Sequence, residues 1–265
     1  MEDIGGKVVL LTGAARGIGA ATARRLAAKG ARLALADVDA SDLERIEAEL
    51  GENVWIRRVD VSDAPAVEVF VDEAVRRFGG IDIAVANAAI NHIARVEETA
   101  PGDFRRVIEA NLLGAFHTMR YALPHLLERK GCALCVNSGS ALVQGPFQAA
   151  YNASKAGVHA FANTLRQEAA GRGVDVGVVY FNAIDTEAGR RSVGHPLMAP
   201  LRIERTMKFR PAEAAADAIV RGIERRSRRI FYPRQARLSS VAPGFVQRQV
   251  DRWVARRLRT GSPEN

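Results

Sequence analysis

Tyr151 and Lys155 stand four residues apart in Tyr151-Asn152-Ala153-Ser154-Lys155, a spacing that can carry proton chemistry. Four residues is about one helical turn, so a helix here sets both side chains on one face. A phenol with its ordinary pKa near ~10 is a poor base at neutral pH. An ammonium one turn away favours the phenolate and moves that pKa toward the working range. The same spacing occurs on plain solvent-facing helices, so the rest of the chain has to decide between the two readings.

A second cluster is Thr12-Gly13-Ala14-Ala15-Arg16-Gly17-Ile18-Gly19. Glycines between a strand and a helix allow a tight turn and a close approach of backbone N–H groups to a pyrophosphate, and the helix N-terminus adds partial positive charge. The spacing is G-x-x-x-G-x-G, not the commoner G-x-G-x-x-G. Asp37 follows Gly19 by 18 residues, where a carboxylate would accept hydrogen bonds from both adenosine ribose hydroxyls. It would repel a 2′-phosphate by roughly 4 kcal/mol per unit charge pair at close range and intermediate dielectric. That favours NAD over NADP, with Arg16 as the residue that could instead partner a phosphate. Asp60-Val61 fits an adenine clamp, and Asp60 fits equally a turn or helix cap ahead of Ser62 and Asp63.

These groups need elements to hold them. Apolar runs predict strands over Lys7–Leu11, Arg32–Ala36, Asn53–Val59, Ile81–Ala86, Cys132–Asn137 and Val174–Phe181. Helices are expected from Gly17 to Lys29, from Ser41 to Leu50, from Pro65 to Phe78, from Pro101 toward His125, and from Tyr151 to Ala170. Ser41 with Glu44 reads as a capping box for the second of these. Strand and helix alternate six times, which predicts an α/β fold: one Rossmann-like, doubly wound parallel sheet with helices on both faces. Such sheets bind ligands at the carboxyl ends of their strands, where the polar clusters fall.

At 265 residues and 48% apolar, the chain suits a single domain over 1–265. Cys132 and Cys135 are its two cysteines, and three apart on a strand they point to opposite faces. They read as core residues of a reduced, cytoplasmic protein. The acidic start is not a signal peptide, and no apolar run approaches the ~20 residues of a membrane span. The five histidines are scattered, which predicts no metal site. The net charge of +8 is concentrated beyond Arg202.

Together these residues resemble the short-chain dehydrogenase/reductase family in its ordinary version of about 250 residues. Thr12-Gly13-x-x-x-Gly17-x-Gly19 matches its cofactor loop, Asp60 its adenine aspartate, Asn87-Ala88 the motif after its fourth strand, and Asn111 the asparagine of its long helix. Ser138, 13 residues before Tyr151, matches its catalytic serine ahead of Ser140, and Tyr151 and Lys155 complete its tetrad. The resemblance implies cofactor contacts from Thr12, Gly13, Arg16, Gly17, Ile18, Gly19, Asp37, Asp60, Val61 and Asn87, with Tyr151, Lys155 and Thr186 at the nicotinamide end. It implies that a secondary alcohol and a ketone are interconverted. Tyr151 would move the proton and Ser138 would hold the reacting oxygen. Lys155 would lower the tyrosine pKa and bind the nicotinamide ribose, with Asn111 joining Lys155 to solvent. Two departures stand out: Ala86-Asn87-Ala88-Ala89 lacks the usual asparagine pair and closing glycine, and Phe181-Asn182 replaces the usual proline-glycine.

The segment from about 182 to 210 is expected to be the substrate lid. Its Pro196, Leu197, Met198, Leu201, Ile203, Met207 and Phe209 suit a lipophilic substrate or simple self-packing, and Arg190 and Arg191 suit an acidic group or solvent. His92 and Ile93 are expected at the pocket mouth. From about 225 to 265 the chain reads as a basic extension, with Phe245, Val246, Val250, Trp253, Val254 and Leu258 on one face of an arginine-rich helix. A sister subunit in a dimer or tetramer, the domain itself, or an anionic membrane surface would cover that face. Nucleic acid is not expected, because no recognition motif accompanies the charge. The competing functional reading is a catalytically idle dinucleotide-binding scaffold or sensor.

Overall fold

The computed structural model describes residues 3–206 and 208–260; of the lid residues named above, Met207 lies outside them. Its strands are β1 Val8–Thr12, β2 Arg32–Asp37, β3 Val54–Arg58, β4 Ile83–Ala86, β5 Cys132–Ser138, β6 Asp175–Phe181 and β7 Arg229–Tyr232. All seven join one parallel sheet in the order β3-β2-β1-β4-β5-β6-β7. The order reverses between β1 and β4, so a crevice opens at their carboxyl ends, where Thr12 and Asn87 lie.

Alternation along each strand divides the core between two sheet faces. Val9, Leu11, Leu33, Leu35, Ile83 and Val85 face α1 (Gly17–Ala27), α2 (Ala40–Leu50) and, from the chain's later half, the alanine-rich helix Ala212–Glu224. Leu10, Ala34, Ala84 and Ala133 face α3 (Ala64–Phe78) and the long helix that follows β4. Cys132 belongs to the first face and Cys135 to the second. Both are buried free thiols, and burial pushes Cys135 up to about 12.

The structure departs from the sequence reading in several places. The cap of α2 is Asp39, whose side chain accepts from the Asp42 N–H, so the Ser41–Glu44 capping box does not form. A charged cap also complements the helix dipole, and such caps contribute about 1 kcal/mol. The long helix is three pieces: α4 (Pro101–Ile108), a π-helical stretch over Glu109–Leu113, and α5 (Gly114–Arg129). After α6 (Ala149–Ala169) and β6 comes an excursion holding α7 (Glu187–Val193) and a 3₁₀ turn over Pro196–Leu201. A short parallel bridge pairing Ile184 with Arg210 and Asp185 with Pro211 closes its base. Arg190 and Arg191 bind Asp185 and Glu187 within the excursion, which occupies the charges offered to a substrate. Met198 and Leu201 are buried in its packing, which uses up part of the apolar set offered to a lipophile.

The later half also holds a strand and a helix outside the six alternations read from sequence. The Ala212–Glu224 helix is α8, and β7 arises from Arg229-Ile-Phe-Tyr232, inside the basic stretch. Its flanking arginines obscured an apolar core of only three residues. Tyr180 of β6 stacks on Phe231 with ring centroids 4.9 Å apart. The basic helix forms as α9 (Pro243–Thr260). Val246, Val250, Trp253, Val254 and Leu258 are half-buried, and α9 leans on the Pro196–Leu201 turn. Gln247 accepts from the Gln144 N–H at 2.8 Å and donates to the Gln144 carbonyl at 3.1 Å. The domain's own surface thus meets much of that stripe, while Phe245 stays 59% exposed.

Candidate active site

The glycine-rich loop is shaped by close approach. Gly13 has φ +66°, and a Cβ there would lie 2.7 Å from Ala88 Cα. Gly17 has φ +54°, with the Thr186 methyl next to it. A Cβ on Gly19 would collide with the Gly13 carbonyl. Asn87 ties the loop down: its Nδ2 donates to the carbonyls of Thr12 at 3.0 Å and Gly13 at 2.9 Å, and its N–H donates to Thr12 Oγ1. Asn87 therefore acts here as a tether between β1 and β4. Helix α1 starts with Arg16 at its N-cap, no side-chain cap and no acidic residue in its first turn. An uncapped helix N-terminus beside a glycine turn fits the pyrophosphate of a dinucleotide.

At the adenosine end, Asp37 closes β2 and accepts from the Ala15 N–H at 3.0 Å. Arg16 lies 3.1 Å from Asp39 and 3.2 Å from Asp42. Asp60 is exposed and accepts from the N–H and hydroxyl of Ser62 at 2.9 and 2.7 Å, the geometry of a turn aspartate; Asp63 caps α3. Val61 is buried against Gly114, and its carbonyl bonds His117 Nδ1 at 2.9 Å. Thr186 caps α7, accepting from the Gly189 N–H at 3.1 Å. Ile18 packs half-buried on the core behind the loop.

The candidate proton-transfer groups meet at the carboxyl end of β5. Ser138 is that strand's last residue, and Tyr151 sits in the first turn of α6, where the helix dipole favours a phenolate. Ser138 Oγ accepts from the Ser140 N–H at 3.2 Å and is close enough to the Tyr151 phenol to favour its ionised form. Ser140 Oγ is buried and has no hydrogen-bond partner among the described residues. Lys155 is 3% exposed; its Nζ donates to the Val136 carbonyl at 3.2 Å and lies 5.7 Å from the centroid of the Tyr151 ring. Burial brings Lys155 down to about 8, while burial pushes Tyr151 up and the Ser138 bond pulls it down. The lysine lies over the ring, not at the hydroxyl, and burial leaves the phenol above its usual range, against the lowering that the four-residue spacing predicts.

Asn111 is 1% exposed within the π-helical stretch. Its side chain accepts from the Ile90 N–H at 2.7 Å, donates to the Ile90 carbonyl at 2.9 Å, and donates to Ser154 Oγ at 3.0 Å. Ser154 in turn donates to the Tyr151 carbonyl at 2.8 Å. The amide thus braces the Tyr151 turn of α6 against the loop after β4. Two positioning residues escaped the sequence reading. One is Ser154, visible only as a small polar residue inside the Tyr151–Lys155 turn. The other is Asn137, whose Nδ2 donates to the Lys155 carbonyl at 3.1 Å while its Oδ1 accepts from the Ser138 N–H at 2.8 Å. Its signal was an asparagine at the end of an apolar strand. His92, after β4, comes within 4.0 Å of Asp103. Among the described residues no group of three histidines, cysteines or carboxylates is placed to hold a metal ion.

Residues 7–195 match the short chain dehydrogenase family. The chain is 37% identical to D-threitol dehydrogenase of Mycolicibacterium smegmatis, over 81% of this chain and 85% of that protein. A short chain dehydrogenase/reductase from Burkholderia phymatum in complex with NAD superposes with a TM-score of 0.83 at 26% identity, covering 94% of this chain and 97% of that one. An alcohol dehydrogenase from the archaeon Thermococcus sibiricus complexed with 5-hydroxy-NADP gives 0.71 at 33% identity, covering 80% and 88%.

The buried ammonium carries a stability cost. Below about pH 8 Lys155 is charged in both states, and burial penalises the folded one; between about 8 and 10.5 the folded state releases the proton first and the penalty fades. The full shift corresponds to about 3 kcal/mol at ~1.4 per pH unit, offset by about 1 for the bond to Val136. Lys155→Met should therefore raise Tm at pH 7, by roughly 1–2 kcal/mol of stability, with a smaller gain at pH 10. Thermal unfolding at the two pH values checks this, and a loss of stability at pH 7 would contradict it.

Proposed function

As the chain belongs to the short chain dehydrogenase family and is an oxidoreductase acting on hydroxyl groups, we propose that it interconverts a secondary alcohol and a ketone, with NAD(H) preferred. The observation that carries this reading is the joining of Ser138, Tyr151 and Lys155 at one strand end, with Asn111 bracing the helix that holds two of them. An idle scaffold has no chemical need to bury a lysine ammonium beside a phenol.

A bound nicotinamide would accept or supply the hydride. The pyrophosphate would rest on the N–H groups at the start of α1, and the ribose hydroxyls on Asp37. In oxidation the Tyr151 oxygen takes the alcohol proton while Ser138 donates to the same substrate oxygen, holding it and offsetting charge as it develops. In reduction Tyr151 returns the proton to the carbonyl oxygen. Lys155 holds positive charge over the ring as the phenolate forms. Tyr151→Phe should therefore cut kcat by at least about a hundredfold, in line with the typical contribution of general acid–base catalysis, while NAD still binds. Steady-state rates with a panel of secondary alcohols, together with NAD titration, test this. Retention of more than a few per cent of the rate would contradict it.

Cofactor choice follows from the charges around β2. Arg16 is engaged by Asp39 and Asp42, and Arg58, in register with Asp37, donates to the Val38 carbonyl, so a 2′-phosphate would meet the Asp37 charge first. The expected kcat/KM favours NAD over NADP by at least about a hundredfold, given several kcal/mol of repulsion, and Asp37→Ala should narrow the gap. Equal values in the wild type would refute the preference.

The partner reading is a second copy of this chain. Leu238, Val241 and Phe245 are exposed on two successive helices that part at Ala242, and exposed apolar groups close together favour a cover. Anionic lipid is the other cover, given the exposed Arg234, Arg237 and Arg248 nearby. Light scattering at low and high salt should show an oligomer that persists, because an apolar interface resists screening. A monomer that sediments with anionic vesicles at low salt only would contradict the second-copy reading.

A further inference from the structure

Between Ser138, the last residue of β5, and Tyr151, in the first turn of α6, the chain crosses a loop over residues 142–148. Ties from several elements hold that loop. Gln144 Nε2 donates back to the Ser140 carbonyl at 3.1 Å. Asn152 of α6 donates from Nδ2 to the Gly145 carbonyl at 2.8 Å. The Ala94 N–H, after β4, donates to the Phe147 carbonyl at 3.0 Å. Asn91 Nδ2 donates to Gln148 Oε1 at 2.9 Å and to Ser192 Oγ of α7 at 3.2 Å. Phe147 has φ +64°, a left-handed angle that a bulky residue keeps only where its surroundings over-determine it.

The remaining tie comes from far along the chain. Gln247 of α9, 103 residues beyond Gln144, engages both backbone groups of that residue. Its Oε1 accepts from the Gln144 N–H at 2.8 Å, and its Nε2 donates to the Gln144 carbonyl at 3.1 Å. Nε2 also donates to Asp251 Oδ1, one turn on, at 2.8 Å. An ionised carboxylate only accepts, so Asp251 fixes which end of the amide is the donor. The same helix leans on the Pro196–Leu201 turn of the excursion, where Met198 and Leu201 are buried. One helix thus holds both the loop before Tyr151 and the excursion after β6, and it lies beyond residues 7–195 that match the family. We infer that Gln247 is a positioning residue of the active site: through Gln144 it sets the path of the loop leading into Tyr151, and it makes α9 part of the wall against which the substrate is held. The inference goes beyond the alcohol–ketone reading and rests on it only for the kinetic half of its test.

Gln247→Met keeps the length and bulk of the side chain and removes both bonds to Gln144. Gln247→Glu keeps an acceptor for the Gln144 N–H and loses the donor. With a secondary alcohol that the wild type oxidises, Gln247→Met should raise KM for the alcohol by about fivefold, with the NAD Kd within about twofold of wild type. Gln247→Glu should fall between Gln247→Met and wild type. Hydrogen exchange read by mass spectrometry needs no substrate. In Gln247→Met the amides of residues 142–148 should exchange at least about threefold faster, while those of β1 and α1 keep the wild-type rate. An unchanged KM, whatever the change in Tm, would leave the tie merely structural and overturn the inference. Unchanged exchange over residues 142–148 would overturn it too, as would an equal loss of NAD affinity, because the effect would then not belong to the substrate side. A wild type that oxidises no secondary alcohol would sink the alcohol–ketone reading instead, and the exchange rates alone would then decide whether Gln247 sets the loop.

Discussion

The ammonium of Lys155, held almost out of solvent against the Tyr151 ring, is the constraint around which the candidate catalytic half of this fold is arranged. A buried charge persists only where its surroundings are fixed in place. Here three backbone ties do that work. Val136 offers its carbonyl to Nζ, Asn137 holds the Lys155 carbonyl, and Asn111 with Ser154 locks the turn that carries Tyr151. Two of the ties join α6 to neighbouring residues of β5 and the third joins it to the π-helical stretch and the loop after β4, so the phenol, the serine and the lysine keep one geometry. The π-helical stretch at Asn111 is part of the same arrangement, since irregular helical turns of this kind occur often at functional sites.

The cofactor half obeys a different rule. It is made of absences of side chain: glycines at 13, 17 and 19 let β1, α1 and the loop after β4 approach until only backbone separates them. Asn87 then fastens the loop across the topological switch between β1 and β4. The result is a helix N-terminus with no cap from its own sequence, open to an anion. The two halves meet where Thr186 touches Gly17 and where Asn182 reaches Gly139, so the excursion after β6 is anchored at both.

Much of this was legible in the sequence because the signals were local. The glycine loop, the six early strands and the Tyr151–Lys155 turn each depend on neighbours within one element. What escaped depends on distant partners. The cap of α2 is the local exception: Asp39 and Ser41 both offer a capping oxygen, and the Asp39 carboxylate is the one that reaches the Asp42 N–H. β7 was hidden because only Ile230, Phe231 and Tyr232 are apolar among arginines, and pairing with β6 decides their fate. The shift of Tyr151 was misjudged because spacing says nothing about burial, and burial outweighs a lysine placed over the ring. The inward stripe of α9 was legible, but its resting place on the Pro196–Leu201 turn was not.

The central claim is that Tyr151 moves the proton under the influence of the buried Lys155, and the pH dependence of alcohol oxidation tests it most directly. With a substrate that turns over, kcat/KM should fall on the acid side as the base is protonated, with an apparent pKa that belongs to the Tyr151–Lys155 pair. In Lys155→Met, which removes the charge and keeps the bulk, that acid limb should move to higher pH and the residual rate should climb across the range. An acid limb at the same pH in both proteins would show that Lys155 does not govern the proton transfer, and would contradict the account.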